Sequence, residues 1–162
     1  MKVVLSALSL LALAGSASAA EAPKPPAVTF VFEEVATLGP VQVVGETPNG
    51  RRQSIPITGG TFSGPGIQGR ILPGGADYQL VRADGSVMID ADYMLETDDH
   101  AIIHVRNVGL IVPDAKGGLG YAWAAPTFNA PNGKYGWLNS ALFVSSITSS
   151  GGGVKIAIFK LG

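Results

Sequence analysis

The stretch Ile57–Asp77, ITGGTFSGPGIQGRILPGGAD, contains seven glycines and two prolines among short apolar pieces. Glycine allows positive φ angles and close backbone approach, which tight turns and sharply bent strands require. Nothing in the stretch has the 3.6-residue apolar spacing that is typical of a helix. The stretch therefore predicts β corners that join bent strands.

The rest of the chain alternates β-branched and aromatic segments with Gly, Pro or Asp breaks, about every ten residues, as in antiparallel sandwiches and barrels. Glycine-rich corners favour the barrel. We therefore predict that residues 28–162 form one all-β antiparallel barrel of about ten strands with little or no helix, and that Asp114–Gly120 and Ser145–Gly153 are loops. The predicted strands are Val28–Ala36, Val41–Thr47, Arg51–Thr61, Ile67–Leu72, Asp77–Arg82, Ser86–Glu96, Ala101–Val112, Tyr121–Phe128, Leu138–Ser145 and Val154–Lys160.

The first twenty residues predict a secretory signal peptide. Lys2 precedes the apolar run Val3–Ala14, and Ala17–Ala19 has the small-residue pattern of a cleavage site. The apolar run is shorter than a typical transmembrane helix. Cleavage directly after this pattern, or one residue later, leaves about 140 residues, which suits one domain behind a Pro-rich lead-in at 21–27. We therefore expect a periplasmic or secreted protein with no stable membrane anchor.

Composition excludes several classes of site. The chain has no cysteine, which excludes Cys nucleophiles, thiolate zinc sites and iron–sulfur clusters. It has 11 Lys and Arg against 12 Asp and Glu. This balance argues against a nucleic-acid partner, which favours a basic stripe, and against a polybasic membrane patch. We expect no metal and no cofactor.

The segment Gly64–Gly69 matches the dinucleotide-binding pattern G-x-G-x-x-G literally. In that motif the glycine turn follows a strand and begins a helix whose N-terminus binds the pyrophosphate. Here Arg70–Pro73 follows, and it has the character of a strand ended by proline. We therefore interpret Gly64 and Gly66, with Gly59, Gly60, Gly74 and Gly75, as barrel corners.

Five of the twelve acidic residues lie between Asp90 and Asp99, around a predicted hairpin turn. A two-residue loop would place Asp92 opposite Val105. A three-residue loop, Asp98–His100, places Asp92 opposite Arg106 and separates polar from apolar side chains, so we predict this register. Its third position requires a left-handed residue, which His tolerates better than most.

This register gives the hairpin one polar face, which carries Asp90, Asp92, Glu96, His104 and Arg106. The face could supply general acid–base groups, or a polar binding wall in which Arg106 holds an anionic group. It could equally be a solvated outer face with weak ion pairs, because the opposite face is apolar enough to build a core. With one His on the face, a metal site is not indicated.

The segment Tyr135–Asn139 (YGWLN) is a second cluster of interest. Its aromatic side chains could stack on a ligand at the mouth of the barrel. Alternatively, Trp137 fills the core and the Tyr135 hydroxyl lies in water. No G-x-S-x-G pattern indicates a nucleophilic triad.

Several segments of the chain together carry a family resemblance: Ile55–Asp77 with Tyr78, Asp84-Gly85, Asp90–Asp99, Asn107–Gly109, Pro126–Phe128 and Tyr135–Asn139. On these segments the chain resembles the DUF3237 (UPF0311) family of uncharacterised β-barrel proteins over nearly all of its length after the predicted signal segment. The resemblance implies an antiparallel barrel with a central cavity, and it carries over Asp77, Tyr78 and Trp137–Asn139 as motif positions. Family members usually have Arg-Tyr where this chain has Asp92-Tyr93, Gly where it has His100, and no signal peptide.

Three functions remain open. The first is an exported barrel that binds a small, partly apolar ligand in or at the mouth of the barrel. The second is a lyase, isomerase or cyclase that uses Asp90, Glu96 or His104 as acid–base groups inside the barrel; the third is a structural module that forms a homo-oligomer through a strand edge. The sequence identifies no catalytic residue. The candidate ligand-binding residues are Asp77, Tyr78, Asp90, Asp92, Glu96, His104, Arg106, Tyr135, Trp137 and Asn139.

Overall fold

The computed structural model describes residues 22–162, so the predicted signal peptide lies outside the described residues. This part of the chain forms ten strands and one 3₁₀ helix, Gly136–Ser140, which follows the eighth strand. It contains no helix long and apolar enough to cross a membrane. The strands are β1 (Val28–Leu38), β2 (Gln42–Thr47), β3 (Gly50–Gly64), β4 (Ile67–Ile71), β5 (Gly75–Val81), β6 (Val87–Thr97), β7 (Ile102–Val112), β8 (Tyr121–Asn129), β9 (Phe143–Ser150) and β10 (Gly153–Leu161).

Eight strands close into an antiparallel barrel. Their order is β1, β10, β9, β8, β7, β6, β4 and β3, and pairing of β1 with β3 closes the ring. Strand β5 follows β4 along the chain and also pairs with β3 and β6, while β2 pairs with β3. The predicted all-β antiparallel barrel is confirmed.

The glycines of the quoted stretch allow β3 to bend. Its first half pairs with β5 and its last five residues, Gly60–Gly64, pair with β4. Between these halves Gly59 and Gly60 have φ angles of 140° and 138°, and a Cβ on Gly60 would collide with the carbonyl oxygen of Val35. Gly64 pairs with Ile67 across a two-residue turn, so the G-x-G-x-x-G segment forms a β-hairpin rather than the start of a helix.

The hairpin of β6 and β7 has the predicted register. Asp92 lies opposite Arg106 and Tyr93 lies opposite Val105. His100 occupies the third loop position with a φ angle of 63°, the one positive value at a non-glycine residue in the described chain. The inner face of β6 therefore carries Ile89, Ala91, Tyr93 and Leu95, and the outer face carries the acids together with Met88 and Met94.

Both ends of β9 differ from prediction by five residues. The predicted strand Leu138–Ser145 was wrong in its first half, because Leu138 lies in the 3₁₀ helix with its side chain buried. The predicted loop Ser145–Gly153 was also wrong, because β9 continues to Ser150 and only two glycines separate it from β10. In β9, the buried Ser145 and Ile147 alternate with more exposed polar residues. The polar composition of this segment was therefore mistaken for that of a loop.

Aromatic side chains fill the barrel near the 3₁₀ helix. Phe32 packs on Phe62 and Phe128 with ring centroids 5.4 and 5.9 Å apart, and Phe128 packs edge-on against Phe143 at 4.9 Å. Fully buried aromatic rings contribute large apolar area to a core. The barrel is solid at this position, and its unfilled space lies elsewhere along β1 and β6.

Candidate functional site

The barrel encloses a cavity of about 200 Å³ whose wall is mainly aliphatic. β1 contributes Ala36 and Leu38, and Leu119 reaches the cavity from the loop between β7 and β8. Leu119 is partly buried against the core, so it covers part of this space. The other apolar residues of the wall are Ile55, Ile57, Ile89, Ala91, Ile111, Ile147, Val154 and Ile156.

Four polar side chains interrupt the apolar wall: Asp77, Gln79, Tyr93 and Asn107. Asp77 accepts hydrogen bonds from Gln79 Nε2 at 2.6 Å and from the backbone N–H of Asp90 at 3.1 Å. Burial raises the pKa of Asp77, and these two hydrogen bonds oppose the rise. Asp77 is therefore the one residue of the predicted ligand-binding set that contributes its side chain to the interior and the cavity wall.

Glu34 is the most deeply buried acid of the described chain, with an exposed fraction of 0%. The Tyr93 hydroxyl donates a hydrogen bond of 2.6 Å to its Oε2 atom, whereas Oε1 has no hydrogen-bond partner within residues 22–162. Burial raises the pKa of Glu34 to about 7, although the bond from Tyr93 lowers it. Burial, followed by the adjacent Glu34 charge, raises the pKa of Tyr93 well above its ordinary value. This carboxyl group therefore changes its protonation state near neutral pH.

Neither Glu34 nor Tyr93 was predicted as a site residue. The position of Glu34 in β1 could have identified it from the sequence. It lies two residues from both Phe32 and Ala36, so its side chain points to the same face of the strand as theirs, and both are buried. Along β1, Glu34 lies between Phe32 of the aromatic cluster and Ala36 of the cavity wall. The Glu34–Tyr93 pair thus lies at the end of the cavity next to the aromatic cluster, which we call the floor of the cavity.

The polar face of the β6–β7 hairpin points away from the interior. Arg106 donates two hydrogen bonds of 2.8 Å to Asp90, and this contact lowers the pKa of Asp90. His104 Nε2 lies 3.0 Å from Asp92 Oδ1. All four side chains are at least 30% exposed. Arg106 and Asp90 form an ion pair, and His104 and Asp92 form a polar contact, on a solvated outer face, which is one of the interpretations that the sequence left open.

Glu96 belongs to the same outer face. It accepts a hydrogen bond of 2.7 Å from Arg70 Nε and contacts His100 Nδ1 at 2.9 Å. These partners lower the pKa of Glu96, His100 most strongly. The hypothesis that Asp90, Glu96 and His104 act as acid–base groups inside the barrel is therefore wrong in its geometry, because strand alternation points them outward.

Tyr78 is 52% exposed and lies on the outside of β5. With Asp90, Asp92 and Arg106 it lines an open surface cleft beside the Pro73–Gly75 turn. In this cleft the Arg106 charge is already paired with Asp90. Asp90, Asp92 and Arg106 share one face as their strand positions predict, and Tyr78 joins them from β5 on the outside of the barrel.

The Tyr135–Asn139 segment supports the barrel end near the aromatic cluster. Tyr135 is buried and its hydroxyl donates to Asp99 Oδ1 at 2.8 Å, while Trp137 is 41% exposed and packs on Phe143. Asn139 exchanges two hydrogen bonds with the backbone of Ala130. Of the two interpretations left open by the sequence, the one with a core-filling Trp137 and a solvated Tyr135 hydroxyl is wrong, because Tyr135 is the buried residue and Trp137 is exposed. None of the three lines the interior cavity.

Within residues 22–162, no group of three or more His, Cys, Asp or Glu side chains is placed to hold a metal ion. The His104–Asp92 contact lacks a third such side chain. The arrangement that remains is an apolar cavity with a few hydrogen-bonding groups and one buried carboxyl of near-neutral pKa.

Comparison with known proteins places this geometry in a family. Residues 26–161 match the family model described as protein of unknown function (DUF3237). The UPF0311 protein RPA1785 of Rhodopseudomonas palustris is 35% identical over 144 residues, covering 82% of this chain and 94% of that protein. The hydroalkoxylation enzyme phnH of Penicillium herquei is 30% identical over 118 residues, covering 73% of this chain and 72% of that protein.

Solved structures show the same fold. The crystal structure of a beta-barrel like protein from Acinetobacter baumannii AYE superposes with a TM-score of 0.79 at 34% identity, covering 87% of this chain and 99% of that chain. The barrel, the glycine corners and the sequence match therefore agree. The chain belongs to the DUF3237 family, also named UPF0311, as its sequence motifs predict.

Proposed function

We propose that the barrel binds a small, mostly apolar molecule in its interior cavity. The observation that carries this proposal is the enclosed space of about 200 Å³, which has an aliphatic wall and a few polar groups. Ligand sites typically combine an apolar lining with a small number of placed hydrogen-bonding groups. The cavity is smaller than the roughly 300–1,000 Å³ of typical ligand pockets, so the ligand is small.

The occupant of such a space is restricted by its chemistry. A wall that is largely aliphatic favours an apolar molecule over water, because each water requires several polar partners. Asp77 and Gln79 already bond to each other, which leaves few groups for a strongly polar ligand. An uncharged ring or short aliphatic body with one polar group satisfies both conditions.

The test is binding of fluorobenzene followed by ¹⁹F NMR. Ala91→Leu places a larger side chain in the cavity wall, and Ala125→Leu makes the same change at an exposed position of β8. We expect saturable binding to the wild-type protein and to Ala125→Leu, and at least tenfold weaker binding to Ala91→Leu. Equal binding by all three proteins would place the probe outside the cavity and reject the proposal.

A second variant guards against misfolding of Ala91→Leu. Ile147→Val removes one methylene group from the cavity wall and leaves room for a longer probe. We expect Ile147→Val to shift preference from fluorobenzene toward 4-fluorotoluene. An unchanged preference would show that Ile147 does not contact the probe, which contradicts the proposed site.

A second candidate function is an enzyme of the lyase, isomerase or cyclase type. It is favoured by the Penicillium herquei relative, which is named a hydroalkoxylation enzyme. In hydroalkoxylation the O–H bond of an alcohol adds across a carbon–carbon double bond. In this chain the acid–base groups would have to be cavity-facing. Small unsaturated alcohols should then be converted to isomers of unchanged mass, and Ala91→Leu should abolish that conversion while Ala125→Leu retains it.

We also propose that the protein is exported, because residues 1–20 have the pattern of a signal peptide. The mature protein should begin at Ala20 or Glu21. Intact-mass measurement of the protein purified from periplasmic or culture fractions tests this, and retention of Met1 in those fractions would contradict it.

A further inference from the structure

We propose that Tyr93 and Glu34 form a proton-transfer pair at the floor of the cavity, acting on a ligand that carries a weakly acidic hydroxyl group. The inference rests on the proposed ligand cavity. Tyr93 belongs to the cavity wall, and its hydroxyl is bonded directly to Glu34. Tyr93 is the residue that contacts the ligand, and Glu34 acts through it.

Among residues 22–162 two acids line or adjoin the cavity, Asp77 and Glu34, and their hydrogen bonds distinguish them. Asp77 uses Oδ2 for Gln79 and Oδ1 for the Asp90 N–H, so its oxygens already serve the barrel wall. Glu34 has one oxygen bonded to Tyr93 and one without a partner among the described residues. A buried polar atom without a partner costs free energy, so it requires an explanation beyond packing. A proton site is such an explanation.

The direction of the Tyr93 hydrogen bond defines the ligand. A phenol hydroxyl has one proton to donate and lone pairs that accept. The Tyr93 proton is directed at Glu34 Oε2, which leaves the oxygen of Tyr93 as an acceptor. A ligand that donates an O–H group, such as a small phenol, enol or alcohol, complements this arrangement better than a carbonyl compound or an ion.

The proton transfer is balanced without a further reactant. The ligand hydroxyl gives its proton to the Tyr93 oxygen while the Tyr93 proton passes to the Glu34 carboxylate. One ligand O–H bond breaks and one Glu34 O–H bond forms, and the Tyr93 O–H bond is exchanged. Reversal of the relay onto a different ligand atom returns Glu34 to its ionised state and leaves an isomer of the ligand.

The surroundings of Glu34 set the pH at which the pair acts. Its neighbours on β10 and β3 are Ile156 and Phe62, which do not titrate. Tyr93 faces it from β6, and Asp77 of β5 acts on Tyr93 through its charge. Burial dominates the shift and raises the pKa of Glu34 to about 7. Ligand binding that requires ionised Glu34 should therefore strengthen as the pH rises through about 7.

The test compares 4-fluorophenol with fluorobenzene, which has the same ring but no hydroxyl. Binding of each is measured by ¹⁹F NMR from pH 5 to 9 with the wild-type protein, Glu34→Gln, Tyr93→Phe and Glu33→Gln. Glu33 is the matched control, because it is the adjacent glutamate but lies on the outside and contacts Lys155.

For the wild type and Glu33→Gln we expect 4-fluorophenol affinity to rise with a midpoint near pH 7. Glu34→Gln should remove the midpoint and weaken 4-fluorophenol about tenfold at pH 8, which is the size expected for a hydrogen bond coupled to a charge. Tyr93→Phe should have the same effect. Fluorobenzene should bind all four proteins without this pH dependence, which also shows that the variants are folded.

The outcomes separate the two proposals. An unchanged midpoint in Glu34→Gln, or pH-independent 4-fluorophenol binding to the wild type, overturns the proton-transfer pair and leaves the cavity intact. If fluorobenzene alone binds, the pair is likewise rejected. If neither probe binds, both the cavity proposal and the pair fail.

Discussion

The Tyr93 hydroxyl donates a 2.6 Å hydrogen bond to Glu34 Oε2 across the interior of the barrel, between strands that are 59 residues apart in the chain. Both side chains are buried. The contact links the aromatic-filled part of the barrel to the cavity. Because burial raises the pKa of Glu34 in the folded protein, the contribution of Glu34 to the free energy of unfolding depends on pH.

Wild-type stability should fall as the pH rises from about 4.5 to about 7. Burial raises the folded-state pKa of Glu34 to about 7, so the folded protein holds this proton more tightly than the unfolded chain does. Between those limits the contribution of Glu34 declines by roughly 3 kcal/mol in total, and above pH 7 it stays constant. Urea denaturation at several pH values measures the profile.

Glu34→Gln should flatten that profile. The amide cannot ionise, so the variant should exceed the wild type by roughly 2 kcal/mol at pH 8 and match it closely near pH 5. Glu33→Gln should leave the profile unchanged, because Glu33 is exposed beside Lys155. Parallel profiles for the wild type and Glu34→Gln would show that Glu34 does not titrate in this window.

Because β3 bends at Gly60, we expect replacement of this glycine to reduce stability more than replacement of Gly66 in the following turn. In Gly60→Ala the new methyl group would collide with the backbone of Val35, and the φ angle of 138° is also unfavourable. In Gly66→Ala the space is open and the φ angle is 74°. We expect a loss of more than about 3 kcal/mol, or failure to fold, for Gly60→Ala, and of about 1–2 kcal/mol for Gly66→Ala. Equal losses in urea denaturation would contradict the close packing of β1 on β3.

The backbone conformation of the β6–β7 loop predicts the order of stability of three proteins that differ only at His100. His100 has a φ angle of 63°, which a residue with a Cβ adopts at a cost of about 1–2 kcal/mol and glycine adopts freely. His100→Gly should be more stable than the wild type, because the exposed contact with Glu96 contributes little. His100→Ala keeps the strain and loses the contact, so it should be the least stable. Thermal unfolding measures the order Gly, His, Ala, and a wild type above His100→Gly would refute it.

The fold was predictable where periodicity and backbone geometry act locally. A one-residue slip of the β6–β7 hairpin would exchange its apolar and polar faces, so alternation alone predicted that Asp92 opposes Arg106. The positive φ angle at His100 followed from the loop length that this register requires. Both conclusions needed only neighbouring residues.

The interior site depends on contacts that local patterns do not contain. A register shift between Phe30 and Phe32 makes both Val31 and Phe32 buried, which obscures the alternation that leads to Glu34. Its partner Tyr93 had the parity of an apolar face, and nothing in β6 indicates an acid across the barrel. Likewise, the buried Tyr135 donates a hydrogen bond to Asp99, which lies 36 residues away in another loop, and the local sequence pattern does not contain this contact.

Asp77 joins β5 to β6 in the barrel wall beside the cavity. The β5–β6 ladder pairs Ala76–Asp77 with Ala91–Asp92 and resumes only at Leu80. Within this interruption, the Asp77 carboxylate accepts the N–H of Asp90. Asp77→Ala removes that acceptor and should cost about 1–3 kcal/mol, while Asp77→Asn keeps an oxygen for it and should cost less.

Amide hydrogen exchange measured by NMR distinguishes a local role of Asp77 from general destabilisation. In Asp77→Ala the Asp90 amide should exchange faster than the loss of global stability explains, whereas amides of the β1–β10 pairing should follow global stability. In Asp77→Asn the Asp90 amide should stay protected. An Asp90 amide that is equally protected in both variants would show that the side chain does not bridge the two strands, and that the wall beside the cavity is closed by the ladder alone.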